Sequence, residues 1–338
     1  MAKDAKFERN FPSELQEKLQ KTPLYKECLL LDIMSGEVFP AFRNNKIDFY
    51  HKGGRLFEFD GNEFTTHVKY ASVLHGYGEY YIKENLLGYG NVRLIRDFKE
   101  GYTRIKENCS LYSGLEASEV ARIYTESSFS KEPLKIVASQ KSDAIELKEE
   151  EKPHNQSFPK FDQNVVVLDI EVSLKSLDRD WKDEIPDEGK KGKIRTQLDI
   201  LDLLLFNKSE RCLQFFEAKH YNHAYIQENK EGKHPELLAQ LERYNKQIAE
   251  RRKDILEAYR VYTRTARELF DYLKDLPDPE VLKEDVVLLI FGFDGEQKRR
   301  LDKMLLKSGN LNGVYYRSIG DISTQTAADV WNNIKLGE

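Results

Sequence analysis

The sequence predicts an α/β protein in which helices flank a mixed central sheet, with a separate α+β domain before it. Three observations predict this class. Short apolar runs bounded by turn residues are typical of strands. A long segment after residue 235 has apolar residues at alternating three- and four-residue steps, which is typical of a helix. A polar, proline-containing stretch divides the 338 residues into a domain at 1–138, a linker at 139–163 and a domain at 164–338.

The segment before the linker is predicted to start with a short helix capped by Ser13 and to continue as an antiparallel meander. Asn-Asn, Gly-Gly and Asp-Gly-Asn sequences supply the turns between its strands. The expected strands are CLLLDI (28–33), EVFPAFR (37–43), KIDFYHK (46–52), RLFEFD (55–60) and FTTHVKYAS (64–72). A helix over GLEASEVARIYTES (114–127) closes this segment.

The segment after the linker is predicted to fold in the order β-β-β-α-β-α-β, with a hairpin followed by a crossover. Pro235 suits the first turn of its long helix, and Asp294 can cap the basic helix that follows the fourth strand. The expected strands are 164–174, 196–206, 211–221, 285–293 and 313–319, and the long helix covers 235–273.

Composition narrows the classes of function. The chain is 40% hydrophobic and 33% charged, with a net charge of -5, which is typical of a globular protein without a general basic coat for nucleic acid. Its three cysteines are scattered, so neither a thiolate zinc cluster nor a disulfide framework is expected. Without an apolar targeting or membrane segment, the sequence predicts a cytoplasmic protein that does not contact a membrane. It contains no Walker A pattern, so any motor or effector would be a separate subunit.

The stretch CLQFFEAKHY, residues 212–221, is the first candidate for chemistry. In a strand, Glu217 and Lys219 project on the same side, and charges beside a core need a partner or a metal. The hairpin is expected to bring Asp199 near them. Two carboxylates bind Mg²⁺ or Mn²⁺ well, and an ammonium group can orient water or stabilise charge on a phosphoryl group. This combination indicates metal-assisted phosphodiester hydrolysis.

Asp199, the Glu-Ala-Lys sequence at 217–219 and the later Gln240-x-x-x-Tyr244 resemble the PD-(D/E)XK nuclease superfamily, in its RecB-like branch. The resemblance implies a restriction-endonuclease-like core with Asp199, Glu217 and the carbonyl of Ala218 as ligands of Mg²⁺ or Mn²⁺. It also implies that Lys219 acts on the attacking water or the transition state. Gln240 and Tyr244 would contact or orient the scissile phosphate and Lys219.

The resemblance further implies a magnesium-dependent deoxyribonuclease working in DNA repair, restriction or defence against foreign DNA. RecB-like members carry an upstream acid on a helix before the first strand, and Glu171 is the best candidate for an additional site acid. The alternative function is a catalytically inactive nuclease-fold module that binds nucleic acid or scaffolds a complex.

Several alternatives stay open in the sequence. Asp202 competes with Asp199, because both faces of their strand are rich in leucine and alternation cannot choose between them. Asp169 and Glu171 form a D-I-E sequence that resembles the start of RNase H-like exonucleases. Glu217 and Lys219 could instead be a structural ion pair.

The remaining predictions concern partners. Tyr244 lies on the apolar stripe of the helix at 235–273, where it can simply pack, and this stripe could pair with a second subunit to form a homodimer. DNA phosphates are expected to contact a basic group that precedes the strand of Asp199. Its members are Lys190, Lys191, Lys193 and Arg195.

Overall fold

Short turns between apolar runs fold the first part of the chain into a meander, as predicted. The computed structural model describes residues 7–72, 91–93, 99–127, 164–174, 199–226, 235–306 and 310–337. Consecutive strands pair antiparallel in one sheet. The strands are β1 (Phe39–Arg43), β2 (Lys46–His51), β3 (Gly54–Phe59), β4 (Phe64–His67) and β5 (Asn91–Arg93). Asn45, Gly53 and Gly61 have φ of 56°, 82° and 94°, so the predicted turn residues adopt the left-handed backbone that these turns need.

Three predictions in this segment are corrected. The run at 28–33 is helical, within a π-helical turn (Tyr25–Leu29) and α2 (Leu30–Ser35), because Tyr25, Leu29 and Ile33 are buried at four-residue spacing. The first helix, α1 (Ser13–Lys21), starts at Ser13, but Pro12 is its N-cap and no side chain caps it. The run at 64–72 divides into β4 and a short helix. The later helices of the segment are α3 (Val68–Ser72), α4 (Lys99–Tyr112) and α5 (Leu115–Ser127).

The second sheet is mixed, as expected for the α/β class. Its strands are β6 (Val165–Leu174), β7 (Asp199–Asn207), β8 (Cys212–His220), β9 (Val281–Leu282), β10 (Val287–Phe291), β11 (Tyr315–Ile319) and β12 (Lys335–Leu336). The order in the sheet is β12-β11-β10-β8-β7-β6, with β9 beside β8. Strands β6, β7 and β8 pair antiparallel, whereas β8, β10 and β11 pair parallel.

The predicted long helix is two helices, α6 (Pro235–Glu250) and α7 (Arg252–Leu269). The break falls at Arg251, whose φ of -107° and ψ of 13° leave the helical region. The apolar stripe of both halves is buried inside this chain, which removes one reason for expecting a dimer there. Asp294 caps α8 (Gly295–Leu301) through a capping box, as predicted, and Thr326 caps α9 (Ala327–Asn332) in the same way.

The two segments flanking the predicted linker pack directly against each other. Each of the two hydrophobic clusters contains residues from both segments. The ring of Phe42 in β1 lies 4.8 Å from that of Tyr262 in α7, and the Tyr262 hydroxyl donates to the Pro40 carbonyl at 3.2 Å. Helix α5 covers the second sheet through Tyr124 and its neighbours. The linker at 139–163 lies outside the described residues, and the division into two domains stays a prediction.

A buried ionic cluster joins the segments. Asp169 of β6 has no exposed side-chain surface. Its carboxylate accepts hydrogen bonds from Arg9 Nε at 3.0 Å, Arg43 Nη1 at 2.7 Å and the Tyr259 hydroxyl at 2.9 Å. Asp169 is therefore fully occupied by its own chain, which leaves the D-I-E interpretation without its first metal ligand. Among the described residues, no helix combines the length and apolar character needed to cross a membrane.

Candidate active site

The hairpin of β7 and β8 places one carboxylate beside the Glu-Ala-Lys sequence, and that carboxylate belongs to Asp202. The last pair of the ladder is Leu203↔Phe216, so Asp202 lies one position further, next to Glu217. The Ala218 N–H donates to Asp202 Oδ2 at 2.7 Å. Strand register, which the sequence could not supply, thus distinguishes the two aspartates.

Asp199 has other partners, which corrects the contact expected from the sequence. Its Oδ1 accepts from Nε and Nη2 of Arg243, each at 3.3 Å, and Oδ2 accepts from Gln247. Both donors lie on α6. Asp199 therefore ties the start of β7 to that helix, and the geometry favours Asp202 over Asp199 as the companion of Glu217.

The structure brings Glu217, Lys219, Gln240 and Tyr244 together. Lys219 Nζ donates to Glu217 Oε1 and, at 3.1 Å, to the Ala218 carbonyl. The amide of Gln240 donates to Glu217 Oε1 at 2.9 Å and to the Tyr244 hydroxyl at 2.8 Å. Because Tyr244 is buried and also donates to the Ile200 carbonyl at 3.0 Å, packing and hydrogen bonding both fix its ring.

Glu171 lies in β6, which pairs with the edge of β7 opposite β8, and there it is the neighbour of Asp202. The pairs Ile170↔Leu203 and Val172↔Leu201 bracket the two acids in the register of β6 and β7. The φ of Glu171 is 49°, a left-handed conformation that is costly for a residue with a side chain and that is found at functional sites. This places the extra acid expected from the sequence at the edge of the site.

A fourth carboxylate, Glu116, was missed. It lies in the first turn of α5, and its Oε1 accepts from the His220 N–H at 2.8 Å. Glu116, Glu171 and Asp202 line one cavity, whose wall includes Gly53 from the β2–β3 turn. The sequence signal was an acid at the start of a predicted helix before β6. The predicted linker at 139–163 assigns that helix to the other domain, so the sequence alone does not place Glu116 beside Asp202.

Burial and mutual repulsion govern the protonation of these acids. Burial, followed by the charge of Asp202, raises the pKa of Glu217 well above its ordinary range. Burial also raises the pKa of Asp202 to about 6, and burial followed by Asp202 raises the pKa of Glu171 to about 7. Burial alone would lower the pKa of Lys219, but Glu217 and Asp202 outweigh it and raise that pKa.

These shifts determine how the cluster contributes to stability. Because the acid pKa values are raised, the folded chain binds more protons than the unfolded chain from about pH 4 to about pH 7. The stabilising contribution is present at low pH and is lost as the pH rises through the folded-state pKa values near 6 and 7. Above that range Asp202 and Glu171 add negative charge beside the single ammonium group of Lys219, and a bound divalent cation would offset that charge.

The site supplies part of the oxygen ligands that such a cation needs. Among the described residues, no group of three or more His, Cys, Asp or Glu side chains is arranged to hold a metal ion. Asp202, Glu217 and the Ala218 carbonyl provide two carboxylates and one neutral oxygen, a set that Mg²⁺ or Mn²⁺ completes with water. Glu217 Oε2 is buried and no donor of the described residues reaches it, while the Asp202 and Glu217 side chains lie within hydrogen-bond reach of each other.

The expected phosphate-binding residues Lys190, Lys191, Lys193 and Arg195 lie outside the described residues. Comparison of the chain with family models, with curated proteins and with solved structures finds no match. The likeness to PD-(D/E)XK nucleases and the roles of its residues therefore stay proposals that depend on the site itself.

Proposed function

We propose that this protein is a magnesium- or manganese-dependent nuclease with a restriction-endonuclease-like core that hydrolyses phosphodiester bonds in DNA. The observation that carries the proposal is the buried pair of Asp202 and Glu217. Their pKa values are raised, one Glu217 oxygen has no hydrogen-bond donor, and the pair lies beside the Lys219 ammonium group. Raised carboxylate pKa values together with an adjacent cation in a cleft are typical of functional sites.

The topology supports the same proposal. Three antiparallel strands, β6 to β8, are followed by α6 and α7, and then by β10, which lies parallel to β8. This is the order of elements that the resemblance implies. Helix α5 adds Glu116 in front of the first strand, where RecB-like members carry an upstream acid.

Each residue of the proposed site can be assigned a role in the hydrolysis of a phosphodiester bond. Asp202, Glu217 and the Ala218 carbonyl would hold the divalent cation, which supplies Lewis-acid polarisation when it is bound. Lys219 places a positive charge where negative charge develops on the phosphoryl oxygens, and it donates hydrogen bonds to two of the ligand groups. Gln240 fixes the orientation of Glu217, and Tyr244 in turn fixes Gln240.

DNA is the substrate that this proposal favours, within repair, restriction or defence against foreign DNA. The basic group at 190–195 would grip phosphates near the cut, and binding should weaken as salt rises. A separate motor or effector subunit would supply any ATP-driven movement.

The test is cleavage of plasmid and single-stranded DNA by the full chain in Mg²⁺ or Mn²⁺. We expect cleavage that chelation by EDTA abolishes, and a loss of roughly 100-fold or more in Lys219→Ala, because a preorganised charge at the phosphoryl group is removed. Lys253→Ala is the matched control, since this lysine is exposed on α7 and should leave the rate unchanged.

The alternative function gives a different outcome. If the wild-type chain binds DNA but never cuts it in either metal, the nuclease proposal fails and the inactive nucleic-acid-binding module is favoured. If Lys219→Ala cuts as fast as the wild type, the cleavage does not come from this site.

A further inference from the structure

We infer that Asp199 is a positioning residue, which holds α6 so that Gln240 reaches Glu217. This inference rests on the proposed nuclease function and assigns Asp199 a role other than metal ligand. The hydrogen bonds of the Asp199 carboxylate go to Arg243 and Gln247 rather than to Glu217 or Lys219. Asp199 acts on the site through the helix that carries the Gln-x-x-x-Tyr sequence.

The contacts of α6 lie on one face of the helix. Arg243 and Tyr244 lie three and four residues after Gln240, and Gln247 lies four and three residues after them, so all four project to the same side. Arg243 and Gln247 bind the Asp199 side chain, and Tyr244 binds the carbonyl of Ile200 next to it. One turn earlier, Gln240 reaches Glu217. The start of β7 therefore fixes the middle of the helix, and the fixed helix presents Gln240 to the site.

The chemistry of Asp199 also differs from that of a metal ligand. Both of its oxygens accept hydrogen bonds from side chains, whereas Glu217 has an oxygen with no donor. The side chain of Asp199 is 14% exposed and that of Arg243 is 30% exposed, so the ion pair is mostly shielded and holds its geometry. Gln247 Oε1 is buried and has no hydrogen-bond partner.

That free Gln247 oxygen makes a decisive substitution available. In Asp199→Asn, the Oδ1 of the asparagine can still accept hydrogen bonds from Arg243. Once the side-chain amide of Gln247 turns over, Gln247 Oε1 can accept a hydrogen bond from the new asparagine N–H group. Asp199→Asn therefore keeps the link to α6 while removing the negative charge. Asp199→Ala removes the link. Asp199→Ala should impair either role, and Asp199→Asn separates them: a metal ligand loses its charge in this variant, whereas a positioning residue keeps its link.

The experiment measures kcat and KM for DNA cleavage in Mn²⁺ for Asp199→Ala and Asp199→Asn. We expect Asp199→Ala to lower kcat by roughly 10- to 100-fold with little change in KM, because misplacement by about 1 Å is enough for such a loss. Asp199→Asn should keep kcat within about 3-fold of the wild type. Asp275→Ala, at an exposed position, is the control for removal of an aspartate.

Coupling to Gln240 separates positioning from a general loss of structure. Gln240→Ala should lower kcat, and adding Asp199→Ala to it should cause little further loss, because both changes break the same link. Independent effects that multiply would overturn the inference. So would an Asp199→Asn variant that is inactive, which would make Asp199 a metal ligand after all.

Amide hydrogen exchange tests the positioning role of Asp199 without a measurement of activity. Amides of the helix at 235–250 should exchange faster in Asp199→Ala than in the wild type, and at the wild-type rate in Asp199→Asn. Unchanged exchange in Asp199→Ala overturns the positioning role. If the wild-type chain does not cut DNA, the proposed function fails. The exchange rates would still test whether Asp199 holds α6, because they do not depend on cleavage.

Discussion

Asp202→Asn is expected to reduce metal-dependent DNA cleavage by roughly 1000-fold, to near the background rate. The substitution keeps the size of the side chain and leaves an oxygen to accept from the Ala218 N–H, which Asp202 Oδ2 accepts at 2.7 Å in the structure. It removes one of the two charged ligands proposed for the cation, and electrostatic groups in a buried site contribute on this scale. The measurement is the single-turnover rate of plasmid nicking in Mg²⁺.

The comparison within β7 makes this prediction sharp. Asp199→Asn lies three residues away in the same strand and should keep most of the activity, whereas Asp202→Asn should not. An Asp202→Asn variant that nicks DNA within about 3-fold of the wild-type rate would contradict the assignment. Thermal unfolding of the variant serves as the control for folding, and we expect it to match the wild type or exceed it, since the substitution relieves repulsion with Glu217.

Asp169→Ala is expected to lower the free energy of unfolding by about 3–5 kcal/mol. Removing one partner of a buried ion pair leaves uncompensated charge, and here Arg9 would lose its carboxylate while Arg43 would keep only that of Asp48. Tyr259 would also lose the acceptor of its buried hydroxyl. Denaturant unfolding followed by circular dichroism measures the change.

The control for this prediction is an exposed ion pair. Glu17 and Lys21 lie on α1 with side chains that are 69% and 75% exposed, so Glu17→Ala should leave the denaturation midpoint unchanged. A loss below about 1 kcal/mol in Asp169→Ala would show that the cluster does not hold the two segments together.

The longer strands of both sheets follow from local sequence, because apolar runs between turn residues leave few other structures open to the chain. Strands β5, β9 and β12 were not predicted, since two or three residues are too few to show a pattern. The strand predicted at 28–33 was wrong because local sequence was not sufficient to choose its structure. A short apolar run suits a strand and a buried helix alike, and only packing against the first sheet selects the helical spacing of Leu29 and Ile33. The break at Arg251 has no glycine or proline to announce it. It directs Tyr259 and Tyr262 toward the N-terminal segment, a contact between residues far apart in sequence.

The site divides in the same way. Glu217 and Lys219 lie two residues apart in one strand, and Gln240 and Tyr244 lie four apart in one helix, so local geometry groups each pair. The expectation that the two pairs meet came from the resemblance to PD-(D/E)XK nucleases. The choice of Asp202 required the register between two strands. The placement of Glu116 at the site required a contact between α5 and His220 of β8, which lie far apart in the sequence. Neither relation is present in any local window of the sequence.

The most direct test of the account is thermal unfolding of the full chain with and without Mn²⁺ at pH 5 and pH 8. At pH 8 Asp202 and Glu171, whose pKa values are raised to about 6 and about 7, are ionised, so Mn²⁺ at roughly 100 times its Kd should raise the Tm by about 3–6 °C. At pH 5 the rise should be smaller, because protons occupy the raised-pKa carboxyls of Asp202 and Glu217. Glu217→Gln should abolish the rise at pH 8. A wild-type Tm that Mn²⁺ leaves unchanged at pH 8, or an equal rise in Glu217→Gln, would contradict a cation site at this pair.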